Sequence, residues 1–134
     1  MDPVMLDTSV CVRALRDRSG YLATRFKARG GDLRISTMVL TELLFGADLS
    51  SRPDHHREAV EDLVRRMVVM EFDAAAASHA ADIRAHLQRA GTPIGVYDTL
   101  IAAHARSRGL MLLTGNLSDF RRVPGLLCED WVEP

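Results

Sequence analysis

Short apolar runs alternate along this chain with longer stretches of helical period, and the punctuation between them is supplied by aspartate, serine, threonine and glycine. Val4, Met5 and Leu6 form a run that stops at Asp7-Thr8-Ser9, three helix-capping residue types standing ahead of Val10, Val12 and Leu15, which reads as strand, turn, helix. A second helical stretch from Tyr21 to Arg29 halts at Gly30-Gly31. Leu33 and Ile35 then lead into Ser36-Thr37, the expected N-cap of a helix reaching about Leu49, and Pro53 opens a helix over residues 53–66. Val68, Val69, Met70 and Phe72 suit a buried strand, Asp73 a cap, and the alanine-rich stretch that follows a helix closed at Gly91.

After the turn marked by Thr92-Pro93, residues 96–108 are again helical and end at Gly109. Residues 110–113 read as a further strand ending in Thr114-Gly115-Asn116, the segment from Asn116 to Asp119 as an acidic turn, and Leu126, Leu127 and Cys128 as a last short strand. Strands alternating with helices imply an α/β fold, a parallel sheet covered on both faces whose ligand site lies beyond the carboxyl ends of its strands. With 134 residues and no repeat, linker or low-complexity tract, the expectation is one domain over residues 1–134. No stretch reads as a leader or a membrane span, so a cytoplasmic chain with no membrane partner is expected.

Composition narrows the chemistry. Cys11 and Cys128 lie far apart without paired spacing and are expected as buried apolar residues rather than zinc ligands or a disulfide. The five histidines lack zinc-binding spacing and are assigned to surface or packing roles. Net charge is −1 and decides nothing about nucleic acid; Lys27 is the only lysine, the remaining basic residues being arginines suited to bidentate phosphate contact. Two arginine sets could rim a phosphate site, Arg13, Arg16, Arg25 and Arg29 or Arg106, Arg108, Arg121 and Arg122, and the sequence does not choose between them.

Four carboxylates stand out. On a helical projection Glu42 falls between the apolar face of Val39, Leu40, Leu43, Leu44 and Ala47 and a second patch of Met38, Phe45 and Leu49, a costly place for an unpaired charge; a solvated glutamate at a helix edge is the ordinary alternative. Asp98 shares its face with Ile101, Ala102 and Ala105, against the ordinary reading of an aspartate favoured by the first-turn dipole. Asp7 alone would be an N-cap and Asp119 alone a loop aspartate. Together they form an acidic group suited to a hard divalent cation with oxygen ligands, magnesium or manganese rather than zinc, and hence to phosphoryl chemistry.

The blocks MLDTSVCV (residues 5–12), STMVLTELLFGA (36–47), GTPIGVYDTLIAAHARSRGL (91–110), TGNLSDFRRVPGL (114–126) and EDW (129–131) resemble, in this order and nearly over the whole chain, the VapC toxins of type II toxin–antitoxin pairs, which are PIN-domain endoribonucleases. The resemblance implies a PIN-like three-layer α/β/α sandwich with a central mostly parallel sheet. It implies acidic site residues at Asp7, Glu42, Asp98 and Asp119, with Asp7 and Asp98 the main ligands of Mg2+ or Mn2+ and Glu42 and Asp119 acting through water or a second ion. Ser9, where many members carry asparagine, and Thr114 and Asn116 become groups that orient those acids. Val96 stands where close relatives often have proline, which puts the loop before Asp98 in question. The implied partners are a VapB-type antitoxin, with an apolar groove near Leu43, Leu44 and Phe45 to receive it, a second copy in a homodimer, and an RNA substrate, tRNA in the first place and initiator tRNA within it.

Three other readings compete. A haloacid-dehalogenase-like magnesium phosphatase needs a second aspartate where Ser9 stands; a receiver domain needs a paired acidic motif and a late lysine, and the only lysine is Lys27. A non-catalytic PIN scaffold for RNA or protein would tolerate loss of one or more acids, and all four are present.

Overall fold

The computed structural model describes residues 2–130 of the chain, so Trp131 of the EDW block lies outside the described residues. Five strands, β1 (Val4–Leu6), β2 (Leu33–Ser36), β3 (Val68–Met70), β4 (Met111–Leu113) and β5 (Cys128–Glu129), form one sheet in the order β3-β2-β1-β4-β5. Every pairing is parallel, with Val4 opposite both Leu33 and Met111, and Leu112 opposite Cys128. The expected mostly parallel sheet is thus wholly parallel among the described residues. Helices α1 (Thr8–Arg16), α2 (Tyr21–Arg29), α3 (Thr37–Leu49), α4 (Pro53–Val64), α5 (Ala74–Arg89), α6 (Val96–Ser107) and the four-residue α7 (Leu117–Phe120) connect them.

Local chemistry explains most boundaries. Asp7, Ser36 and Asp73 are the N-caps of α1, α3 and α5, each with a side-chain oxygen accepting a backbone N–H of the first turn. Gly91 and Gly109, just beyond α5 and α6, adopt φ of 72° and 66°, the left-handed closure that residues with a Cβ resist. The central strands are buried on both faces: Met5, Leu6, Ile35 and Leu112 are fully buried, joined in one core by Val10, Val39, Ile83, Ile101 and Phe120.

Five expectations change, the first being the last strand, which is Cys128–Glu129 and leaves out Leu126 and Leu127. The run from Val68 is not a buried strand but the edge of the sheet, with Val68 45% exposed, because β2 covers only one side of it. It stops at Met70, before Phe72. The 116–119 segment is not a simple turn: Leu117–Phe120 is a helical turn, made by burying Phe120 in the core. Cys11 is buried as expected, whereas Cys128 is only partly buried. Among the histidines, His104 takes a packing role, its Nδ1 2.7 Å from Ser36 Oγ and its ring edge-on to Phe72 at 5.5 Å.

Candidate active site

The order of the sheet places the site. β1 sits at the centre, its chain crossing first to β2 on one side while β4 lies on the other, so a crevice opens where the connections diverge beyond the carboxyl ends of β1 and β4. Asp7 follows β1 directly and Thr114 follows β4, locked together by Asp7 N donating to Leu113 O. Asp7 is 3% exposed, and its carboxylate is held from three directions. Oδ1 accepts from Thr8 N at 2.8 Å, while Oδ2 accepts from Ser9 Oγ at 2.9 Å and from Thr114 Oγ1 at 2.7 Å. The cap reading of Asp7 holds, and capping uses only one of its oxygens, leaving Oδ2 to Ser9 and Thr114.

Ser9 and Thr114, expected as groups that orient the acids, both donate to the Asp7 carboxylate. Ser9 Oγ also accepts from Gly115 N at 3.0 Å, and Thr114 Oγ1 accepts from Asn116 N at 2.9 Å, so the two hydroxyls tie α1 to the turn after β4. Asn116 in turn donates from Nδ2 to Asp119 Oδ2 at 3.0 Å, and Arg122 Nη2 stands 3.5 Å from the other oxygen, Oδ1. Replacing Thr114 with valine keeps the shape but removes a donor to Asp7 and the acceptor of Asn116 N, with an expected loss of about 1–3 kcal/mol. Thermal unfolding of Thr114→Val in EDTA checks this; an unchanged melting temperature would mean that the hydroxyl holds nothing in place.

Glu42 differs from its helical-wheel picture. It is half-buried, but Phe45 and Leu49, members of the flanking patch, are 62% and 73% exposed, so only one of its two apolar neighbourhoods is core. Its partner is the Thr8 hydroxyl, which donates to Oε1. Thr8 is the site residue that sequence reading missed: as a cap-type residue beside Asp7 it was spent on local structure, and nothing local marks a contact made 34 positions away.

Asp98 sits in the first turn of α6, half-buried. Burial, reinforced by the negative charges of Asp7, Glu42 and Asp119, pushes its carboxyl up from 3.8 to about 6. Three acids from three other segments thus act on Asp98. Val96 leaves the approach intact: it is the first residue of α6, 69% exposed, after an extended Gly95, a position that suits either valine or proline.

No three aspartate, glutamate, histidine or cysteine side chains among the described residues close tightly enough to hold an ion by themselves. The donors are nevertheless all carboxylate and hydroxyl oxygen, the ligand type that magnesium takes while retaining several waters. Beside Glu42 a groove of about 350 Å³ runs between α1, α3 and α4, floored by Val12, Leu43, Ala47 and Val60 and bordered by Arg16 and His56. Leu43 is therefore core and groove floor together, while Phe45 stands out in solvent.

Residues 4–126 match the PIN domain family. The chain is similar to the tRNA(fMet)-specific endonuclease VapC of Shigella flexneri, 43% identical over 127 residues covering 95% of this chain and 96% of the relative. Among solved structures it resembles the DNA-bound VapBC of Salmonella typhimurium, with a TM-score of 0.93, 41% identity and coverage of 98% and 99%. It also resembles VapBC2 of Rickettsia felis bound to a promoter DNA fragment, with a TM-score of 0.87, 31% identity and coverage of 96% and 98%.

Proposed function

Because the chain belongs to the PIN domain family, and within it to the VapC group, we propose that it is the toxin of a VapBC pair, a divalent-metal-dependent endoribonuclease hydrolysing RNA phosphodiester bonds with tRNA, initiator tRNA in particular, as its substrate. The observation that carries the chemistry is the half-buried Asp98, whose carboxyl is pushed up first by burial and then by the charges of three other acids from separate segments: buried like charges at a strand-end crevice cost stability unless a cation offsets them. Asp7 and Asp98 would hold Mg2+ or Mn2+, with Glu42 and Asp119 acting through water or a second ion. Such an ion supplies charge that acidifies water and offsets the charge developing on phosphate oxygens.

The chain's own groups supply orientation. Ser9 and Thr114 fix Oδ2 of Asp7, Thr8 holds Glu42, and Asn116 fixes Asp119, so three of the four carboxylates are held in one orientation by hydroxyl or amide donors. The 1–134 chain acts as a single domain and as a homodimer restrained by a VapB-type antitoxin. The apolar groove ending at Glu42 suits a segment of that antitoxin, which would set a basic side chain against the acids. Exposed Phe45, Leu49, Val96 and Leu127 are further apolar surface for such contacts.

The test is incubation of the purified chain, free of antitoxin, with total bacterial tRNA in Mg2+ or Mn2+, with EDTA and Asp7→Ala as controls. Discrete fragments that disappear in both controls are expected. Intact tRNA in every condition, from protein that melts cooperatively, would count against the ribonuclease and favour the non-catalytic scaffold.

A further inference from the structure

An acidic crevice repels the polyanion it is meant to cut, so a cleaving site also needs cations that its own acids do not consume. Most arginines of the two candidate rims are engaged. Arg25 donates to Tyr21 Oη at 3.0 Å and Arg29 to the Asp2 carbonyl at 2.6 Å. Arg106 is bound to His79, Asp82 and the Pro124 carbonyl, Arg108 lies 3.8 Å from Asp73, and Arg122 spans Asp119 and the Pro93 carbonyl. Arg13, Arg16 and Arg121 have no side-chain hydrogen bond or ion pair within the described residues and are exposed; Arg121 closes α7, whereas Arg13 and Arg16 stand on the helix that begins at the acids.

Both stand on α1, the helix that Asp7 caps. Ser9, Arg13 and Arg16 share one stripe of that helix, at i, i+4 and i+7. Ser9 is bonded into the acid site, and Arg13 follows roughly 6 Å and Arg16 roughly 10 Å further along the axis. The place where a Cβ on Gly115 would stand is 3.6 Å from Ser9 Oγ and 3.8 Å from Arg13 Nη2, so the guanidinium lies over the bare backbone of the turn after β4, beside the crevice. Arg16 borders the groove that contains Glu42. A charged stripe thus leaves the acids on one side, uncovered and unneutralised.

From this we infer that Arg13 and Arg16 form the phosphate-gripping edge of the site and hold the RNA strand to one side of the bond being cut. The inference rests on the ribonuclease reading above. It selects half of one rim that the sequence left undecided, and it assigns Arg122 instead to holding Asp119.

Initial rates of tRNA cleavage, measured with the full chain over a range of salt concentrations, test it in Arg13→Gln, Arg16→Gln, the double variant and Arg57→Gln. Arg57 of α4 pairs with Asp48 of α3 at the surface and serves as control. Each substitution on α1 is expected to raise KM about tenfold and to lower the slope of log kcat/KM against log salt by about 0.7–0.9. The rate at saturating tRNA and the melting temperature stay near wild type, and Arg13→Lys retains the slope because it retains the charge. Wild-type cleavage accompanied by unchanged KM and slope in the double variant would overturn this assignment and leave the ribonuclease intact. Absence of cleavage by the wild type would instead overturn the reading on which it rests.

Discussion

Asp98→Asn is expected to abolish RNA cleavage while making the metal-free protein more stable at neutral pH. If Asp98 is one of two main cation ligands, as proposed, its loss removes several kcal/mol of transition-state charge stabilisation, so kcat/KM should fall by about 10³-fold or more. The gain in stability has a definite pH window. The folded carboxyl titrates near 6 and the unfolded one at the ordinary 3.8, so the folded state holds the extra proton between these values. The wild type accordingly keeps the full benefit of a neutral Asp98 below about pH 4 and loses it as pH rises through 6. Asparagine never ionises, so the melting temperatures of variant and wild type in EDTA should be close at pH 4 and diverge in favour of the variant by pH 7. Added Mg2+ should raise the wild type and leave the variant nearly unchanged. A variant that melts below wild type at pH 7 in EDTA would refute mutual repulsion among the acids, and one that cleaves normally would remove Asp98 from the chemistry.

The second large effect belongs to packing. Phe120 is fully buried at the end of α7, one residue after Asp119 and three before buried Val123. Phe120→Ala should cost about 3–5 kcal/mol and lower the melting temperature by an amount on the order of 10 °C. Because the ring anchors the turn that carries Asn116 and Asp119, cleavage should fall by more than the unfolded fraction explains. Leu127→Ala, at a side chain 66% exposed, is the matched control and should change neither by much. Equal melting of the two variants would show that the α7 turn does not depend on the core.

The dependence on Phe120 also shows why residues 116–119 read as a turn. Four helical residues carry no periodicity, and this helical turn exists because one aromatic side chain finds the core. The edge position of β3 was hidden for a related reason: Val68, Val69 and Met70 are apolar enough for a central strand, and only the pairing order exposes Val68. The inclination of Glu42 was legible, its partner was not. A hydroxyl that looked like part of a cap crosses from α1 to α3.

What the sequence determined by itself was whatever depends on neighbours along the chain. Asp7, Ser36 and Asp73 start helices because a short acceptor satisfies an open N–H group of the first turn, and Gly91 and Gly109 end them because glycine relaxes into positive φ. The four acids were visible for the same local reason, as charges set on apolar faces or at strand ends. Tertiary structure alone decided that they meet. Parallel pairing of β1 with both β2 and β4 brings residues 7 and 114 into hydrogen-bonding distance across 107 positions. It likewise decided which arginines remain free, since an ion pair depends on distances in space that no local pattern encodes.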